Sequence, residues 1–489
     1  MTTQASLPVI IQGGMGVGVS RWLLAREVSR LGQLGVVSGT ALDSLLVRRL
    51  QDGDTDGEMR RAIDAFPIPD VGAAVLRRYF LPNGRESGQP YKLLPLYKQH
   101  VSVARQQLTM LANFVEVFLA KRGHDGVVGI NLLTKLQLPN LASLYGAMLA
   151  GVDYVLMGAG IPREIPLALD RLALHEPATL RFDVDGVATV DAPLLTFDPV
   201  AHGADVTRNL TRPRFLAIVA ANSLAATLAR KASGRVDGFV VEGPAAGGHN
   251  APARGGGALS ATGEPIYGER DAVDLAKMRD LGLPFWLAGG TGSPHQLQHA
   301  LAEGAAGIQV GTLFAYCDES GFDSALKATV LDHARRGDLA IRTDPRTSPT
   351  GFPFKVVSWP GHPATLERER RCDLGYLRTA YQRDDGRVGY RCPAEPEQDY
   401  VNKGGLLVDT VGRQCVCNGL IAAVGLPQAL DTDEPEGREE PALITSGDEL
   451  LHIGAFLGDR ASYTARDVME YLQSSVAGSV VRDVEILNC

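Results

Sequence analysis

His249 is the residue of this sequence best suited to move a proton. It follows an apolar run in the segment VVEGPAAGGHN, and the two glycines directly before it free the backbone to aim the imidazole. An unperturbed imidazole has a pKa of about 6.5, so it can act as a base or as an acid near neutral pH. Because the loop continues through APARGGGALS, it exceeds the roughly 12–15 residues beyond which unstructured loops are usually functional. We therefore predict that His249 is catalytic and that this loop is a mobile lid.

Two other glycine-rich segments have the composition of an anion-binding site. FWLAGGTGSP and IQVGTLF each complete an apolar run, and the first leads into a helix with Ser293 near its start. Glycine lets backbone N–H groups converge on an anion, and a helix N-terminus adds partial positive charge. We predict that the two segments bind a phosphate together; the alternative is two ordinary turns between strand and helix.

The segment VIIQGGMGVGVS could hold a flat ligand. Gly13, Gly14 and Met15 would bring the backbone close to it, whereas the GxGxxG spacing of a Rossmann dinucleotide site is missing. Asn131, in VGINLL, is a polar residue at the end of an apolar run. A buried Asn needs hydrogen-bond partners, which a ligand with an imide-like edge offers. The alternative role of Asn131 is to cap a loop.

Four of the six cysteines fall close together, at Cys372, Cys392, Cys415 and Cys417. Four thiolates suit zinc or an iron–sulfur cluster, although this spacing matches neither a standard zinc ribbon nor a ferredoxin. We predict a metal or cluster site there. Isolated reduced thiols and a redox pair of Cys415 and Cys417 are the alternatives.

Short apolar runs alternate with amphipathic stretches along the first 330 residues. Eight such runs have the length of buried strands, which predicts a closed (β/α)8 TIM barrel, with an open doubly wound sheet as the alternative. The predicted strands are 9–12, 35–38, 126–131, 154–158, 214–219, 238–242, 285–288 and 307–310. The predicted helices are 20–31, 138–150, 223–231, 271–281, 293–303 and 324–335, with N-caps at Ser20 and Ser293.

We expect the barrel to occupy residues 1–336, with two insertions. The first insertion, 51–120, leads into a helix at 101–121, and the second, 162–212, contains an alternating pair of strands. Asp185-Gly186 is predicted to be the hairpin turn of that pair.

Residues 337–489 are predicted to form a C-terminal cap or module that contains the four cysteines. The acidic run 431–440 is typical of an exposed loop. Thr464 and Asp467 have the spacing of a capping box, and 479–487 has the pattern of a strand.

The composition excludes several classes of protein. The 489 residues are 45% hydrophobic with a net charge of −8, which is typical of a globular chain without the basic stripe of a nucleic-acid-binding protein. Because no run approaches 18 apolar residues and no signal peptide is evident, we expect a cytoplasmic protein that binds no membrane. Glycine is in excess, with 55 residues that show no period.

IIQGGM, VGINLL, VEGPAAGGH, LAGGTG and GIQVGTLF occur in the order seen in the nitronate monooxygenase family, also called 2-nitropropane dioxygenases. The chain resembles this family over residues 8–50 and 125–320. Similar signatures occur in FMN-dependent enoyl-thioester reductases, including those that serve polyketide and polyunsaturated fatty-acid synthases. The chain departs from the family at Gly14, where many members have Pro. The long insertion and tail exceed the compact nitronate oxidisers and are more similar to the synthase-associated reductases.

The resemblance implies a TIM barrel with non-covalent FMN and assigns roles to matching positions. His249 would be the acid/base residue or would orient the substrate. The residues implied in cofactor binding are Gly13, Gly14, Met15 and Asn131 at the flavin ring, Gly289, Gly290, Gly311 and Thr312 at the phosphate, and Gly248.

Three functions follow as hypotheses. The first is an FMN-dependent oxidoreductase that oxidises nitroalkanes or nitronates with O2, with His249 taking the α-proton or orienting the nitronate. The second is an NAD(P)H-dependent FMN enoyl-thioester reductase that acts with a polyketide or fatty-acid synthase, with an acyl carrier protein as a possible partner. The third is a flavin-binding subunit without catalysis. For an enzyme we expect a small-molecule substrate and a homo-oligomer.

Overall fold

The computed structural model describes residues 7–254, 257–362, 369–430 and 438–474. Its centre is a closed barrel of eight parallel strands. In chain order they are β1 (Ile10–Gln12), β2 (Leu34–Ser38), β3 (Val128–Leu133), β4 (Tyr154–Gly158), β5 (Arg214–Val219), β6 (Gly238–Glu242), β7 (Phe285–Ala288) and β8 (Gly307–Val310).

Each barrel strand pairs with its neighbours in the chain order, and β1 pairs with β8, with Ile10 opposite Ile308. This confirms the predicted TIM barrel. The third strand runs on to Leu133 instead of ending at Asn131, because Leu132 and Leu133 continue the pairing with β4.

Helices follow the strands around the outside of the barrel. They are Trp22–Arg30, Gln137–Leu149, Ile165–Ala173, Asn222–Lys231, Leu275–Arg279, Pro294–Ala302, Thr312–Ala315 and Ser324–Arg336. The Ser293 side chain accepts a hydrogen bond from the Gln296 N–H, which confirms it as an N-cap. The prediction of Ser20 as an N-cap is wrong, since Arg21 holds that position.

Four helices lie between β2 and β3, the first of them directly after β2 and the other three in the first insertion. They are Leu42–Gln51, Glu58–Asp64, Pro69–Tyr79 and Val103–Lys121. The last of these is the predicted long helix, and it begins at the N-cap Ser102.

The second insertion contains two antiparallel strands, Ala178–Arg181 and Leu194–Phe197. The predicted tight hairpin at Asp185-Gly186 is not formed, because the pairing ends at Arg181 and Leu194. Asp185 instead donates its N–H to the carbonyl of Ala380 in the tail, over 2.9 Å.

After the barrel the chain forms short two-stranded sheets and short helices. The strands are Ala340–Asp344 with Phe354–Ser358, Thr379–Gln382 with Val388–Arg391, and Ala429–Leu430 with Arg438–Glu439. The helices are Glu397–Asn402, Val416–Ala422 and Ile453–Leu457. Thr464 and Asp467 exchange hydrogen bonds, as the predicted capping box requires.

The tail and the barrel share one hydrophobic core, in which Ile421, Leu450 and Val468 join residues of the barrel such as Ile10. The division into two units at residue 336 stays a prediction. The predicted strand 479–487 and most of the acidic run lie outside the described residues. No helix among the described residues is long and apolar enough to cross a lipid bilayer.

Candidate active site

The ten residues predicted for catalysis and cofactor binding all line one cavity at the carboxyl ends of the barrel strands. They are Gly13, Gly14, Met15, Asn131, Gly248, His249, Gly289, Gly290, Gly311 and Thr312. Since parallel strands of a closed barrel end on the same face, residues far apart in sequence meet there. The fold therefore brings the predicted set together, while their individual roles stay predictions.

Buried polar side chains hold the loop after β1 in place. The Ser20 hydroxyl accepts from the Met15 N–H over 2.9 Å and donates to the Gly13 carbonyl over 2.8 Å. Gln12 donates to the same Ser20 oxygen and accepts from the Val36 N–H. Ser20 thus organises the loop that follows β1 rather than capping a helix.

Gly14 lies against Asn131. A Cβ atom at position 14 would overlap with Cβ of Asn131 and come within 3.3 Å of the Val36 side chain. No side chain fits between the two loops, because a Cβ contact below about 3 Å requires the neighbour to move. The absence of a side chain at position 14 therefore allows Asn131 to pack closely against this loop.

The loop after β7 begins with two glycines in the left-handed backbone region. Gly289 and Gly290 have φ angles of +85° and +77°, which favour glycine. A Cβ on Gly289 would also lie 2.8 Å from the carbonyl oxygen of Gly243. The Thr291 hydroxyl donates to the Gln309 carbonyl over 2.8 Å, which links this loop to β8. The two predicted phosphate segments are thus adjacent.

His249 is oriented by residues of the tail. Its Nε2 forms a 2.7 Å hydrogen bond with the hydroxyl of Ser348, and its ring contacts Phe354 edge-on at 4.7 Å between centroids. Burial, together with the charge of Lys135, holds the pKa of His249 well below 6.5. The imidazole is therefore neutral at pH 7.

Residues 171–343 match the nitronate monooxygenase family model. The matched segment contains His249 and both predicted phosphate loops, so the resemblance seen in the sequence is confirmed there. The match supports an FMN-dependent oxidoreductase. No curated protein matches the chain.

Solved structures of three related kinds resemble the chain over nearly its whole length. FabK from Thermotoga maritima is 16% identical, with a TM-score of 0.47, over 98% of this chain and 96% of its own. A nitroalkane oxidase from Streptomyces ansochromogenes is 15% identical, with a TM-score of 0.46, over 98% and 99%. The enoyl reductase domain of MlnA from Bacillus amyloliquefaciens is 12% identical, with a TM-score of 0.45, over 99% and 97%.

Two ionisable residues near the carboxyl ends of the barrel strands were not predicted from the sequence. Glu242 is the last residue of β6 and lines the cavity, and burial raises its pKa to about 7. Lys135 lies just beyond β3, where burial lowers its pKa to about 7. Its Nζ has no hydrogen-bond partner among the described residues and lies 4.7 Å from the ring centroid of Phe352. Glu242 could have been found as Asn131 was, since each is a polar residue in or after an apolar run of the sequence.

Gln309 is a third residue that was missed. It lies in β8 and lines the cavity, and its Oε1 is buried without a partner among the described residues. Such an acceptor is costly unless a ligand donates to it. A polar residue inside the apolar run GIQV was the signal in the sequence.

The four clustered cysteines do not support the predicted zinc or iron–sulfur site. Among the described residues, no three His, Cys, Asp or Glu side chains converge to hold a metal ion. Cys372 hydrogen-bonds with Cys392, and this contact and burial raise its pKa. Burial also raises the pKa of Cys415 to about 12 and that of Cys417 well above the usual range. None of these four cysteines forms a disulfide bond in the structure.

The tail forms part of the cavity wall. Tyr376, Leu377, Cys417 and Leu420 line it opposite the barrel loops. Most of these side chains are apolar, so this wall suits an apolar part of a ligand. The wall could not be predicted, because its residues have no local pattern that marks them as facing the barrel.

Proposed function

We propose that this protein is an FMN-dependent oxidoreductase of the nitronate monooxygenase type, which oxidises nitroalkanes or nitronates with O2. The observation that carries the proposal is the meeting of a neutral, partly buried His249 with the glycine-rich loops in one cavity. Neither element alone would indicate this chemistry.

The residues of the cavity are suited to FMN. Gly13, Gly14 and Asn131 would face the ring system, and the orphan Oε1 of Gln309 can accept from a ring N–H. Gly289 and Gly290 would bring the backbone close to the phosphate, and the helix Pro294–Ala302 follows this loop and would add partial positive charge. FMN, when bound, supplies the exchange of electrons with the substrate.

His249 has the protonation state of a base. At pH 7 its neutral ring can take the α-proton of a nitroalkane: the C–H bond breaks, the proton goes to a ring nitrogen, and the electron pair of the carbon moves into the nitro group to give the nitronate. Ser348, which is fully buried, fixes the ring through its hydroxyl.

Absorbance and anaerobic mixing test this proposal. The purified protein should absorb between about 350 and 500 nm as a flavoprotein does, and a nitronate should bleach that absorbance without oxygen. Bleaching by NAD(P)H but not by a nitronate would contradict the proposal in favour of the reductase. A protein that binds no flavin would contradict both.

A second candidate is an NAD(P)H-dependent FMN enoyl-thioester reductase. It is favoured by Glu242, which lines the cavity and whose pKa of about 7 lets its carboxyl group carry a proton at neutral pH. A reductase must supply a proton to the α-carbon of the enoyl thioester. His249 is neutral and is not protonated to the imidazolium that would donate it. The apolar wall from the tail suits an acyl chain, and an acyl carrier protein would then deliver the substrate. NADH or NADPH consumption that depends on an enoyl thioester would support this candidate.

A further inference from the structure

Glu449, a residue of the tail, reaches into the predicted phosphate site. Its Oε1 accepts a hydrogen bond from the backbone N–H of Gly292, in the loop between β7 and the helix Pro294–Ala302. A Cβ atom on Gly292 would lie 2.8 and 2.9 Å from the two carboxylate oxygens. The carboxylate therefore fills the space directly over this amide.

Further contacts hold the chain before Glu449 against the barrel loops. The Gly248 N–H donates to the Thr445 hydroxyl over 2.7 Å, and the Asp448 N–H donates to the Ala245 carbonyl over 3.0 Å. A Cβ on Gly447 would lie only 2.8 Å from the hydroxyl of Thr312, a residue predicted to bind the phosphate. The position of Glu449 is thus set by a chain segment packed on both sides of the site.

The carboxylate of Glu449 has the chemistry of an anion ligand. It accepts from a backbone N–H two residues before a helix, which is where a phosphate oxygen is favoured. Burial raises the pKa of Glu449 and the Asp448 carboxylate adds to that rise, while the Gly292 N–H opposes it. A second anion at the same amide would repel the first, since like charges in a partly buried site are poorly screened.

We propose that Glu449 is a specificity-determining residue of the cofactor site, whose carboxylate competes with the phosphate of the flavin for the Gly292 N–H. The inference rests on the proposed function, because it takes the ligand to be a flavin phosphate. Glu449 weakens the binding of FMN relative to riboflavin, which has the same ring system and side chain but no phosphate.

Flavin titration of the full-length protein freed of bound flavin tests the inference, with quenching of flavin fluorescence as the readout. Glu449→Gln keeps the shape of the side chain and an acceptor for the Gly292 N–H, but removes the negative charge that repels the phosphate. We expect it to lower the Kd for FMN about tenfold or more and to change the Kd for riboflavin less than about twofold. Glu470→Gln is the matched control, since Glu470 is an exposed glutamate of the tail, and should change neither constant.

The inference is overturned if folded Glu449→Gln binds FMN no more tightly than the unaltered protein, or if both flavins tighten equally. Calorimetric titration with inorganic phosphate separates this failure from that of the proposed function. If no flavin binds but phosphate binds more tightly to Glu449→Gln, the competition at Gly292 stands and the flavin assignment is wrong. If neither flavin nor phosphate binds any variant, both proposals are wrong.

Discussion

Arg105 donates a hydrogen bond to Asp43 over 2.6 Å, where both side chains are almost completely buried. Asp43 also accepts from Thr109 and from the hydroxyl of Tyr376, which lines the cavity. Burial opposes the charge of Asp43, but Arg105 and these hydrogen bonds hold its pKa below the usual value. The pair joins the first insertion, the helix after β2 and the tail at the cavity wall.

Removing Asp43 should therefore destabilise the protein strongly. Asp43→Ala leaves Arg105 buried without its counter-ion, which costs about 3–5 kcal/mol in comparable pairs. Urea unfolding followed by circular dichroism measures the loss. Arg61→Ala is the control, because Arg61 pairs with Glu58 at the same 2.6 Å distance but is half exposed, and little change is expected. Equal losses of unfolding free energy in the two variants would contradict a special stabilising role of the buried pair.

Gly14→Ala should weaken flavin binding and lower stability. The added methyl group overlaps with Asn131, so the two loops must separate, at a cost of roughly 1–3 kcal/mol. Thermal unfolding and flavin titration measure the two effects. At Gly454 an added Cβ would meet no atom within 4 Å, so Gly454→Ala should leave both unchanged. If the folded Gly14→Ala variant bound flavin as the unaltered protein does, the loop after β1 would not be part of the flavin site.

His249→Ala should lower kcat/KM by about 10²–10⁴-fold, the usual contribution of a general acid or base. Ser348→Ala removes the hydrogen bond that orients the ring, together with the contacts of Ser348 with Thr350, but it keeps the imidazole, so its loss of activity should be smaller. Steady-state kinetics with a nitroalkane measures both variants. Full activity in His249→Ala, with flavin bound, would agree with a binding subunit and not with an enzyme that uses this residue.

Glu242 should make stability depend on pH. Its folded pKa of about 7 exceeds the value of about 4.3 expected in the unfolded chain, so the folded state binds this proton more tightly. The stabilisation from this protonated carboxyl is complete below about pH 4 and is lost as the pH rises through about 7. Glu242→Gln should therefore be more stable than the unaltered protein at pH 8, by roughly 1–3 kcal/mol, and the difference should shrink at pH 5. Melting curves at both pH values check this, with Glu470→Gln as an exposed control. A difference in stability between Glu242→Gln and the unaltered protein that does not change with pH would contradict the raised pKa of Glu242.

The barrel could be predicted because its signals are local. Strands such as Gly238–Glu242 and Phe285–Ala288 have the predicted bounds, since a strand buried on both faces is a continuous apolar run between glycines or turns. The same holds for Ser293, where the capping group and the helix are neighbours in sequence. Ser20 has the same residue type, but its hydroxyl is used by Gln12, Gly13 and Met15, and no pattern before a helix reveals that competition.

The sequence by itself determined the barrel and the loops at its carboxyl end that form the candidate site, because strand order in a closed parallel barrel places those loops on one face. Only the tertiary structure decided what the tail adds. Glu449 meets Gly292 across 157 positions of the chain, and Ser348 meets His249 across 99. The clustered cysteines, close in sequence, form no metal site among the described residues. Such contacts depend on how the tail packs over the barrel, which no local spacing of residues encodes.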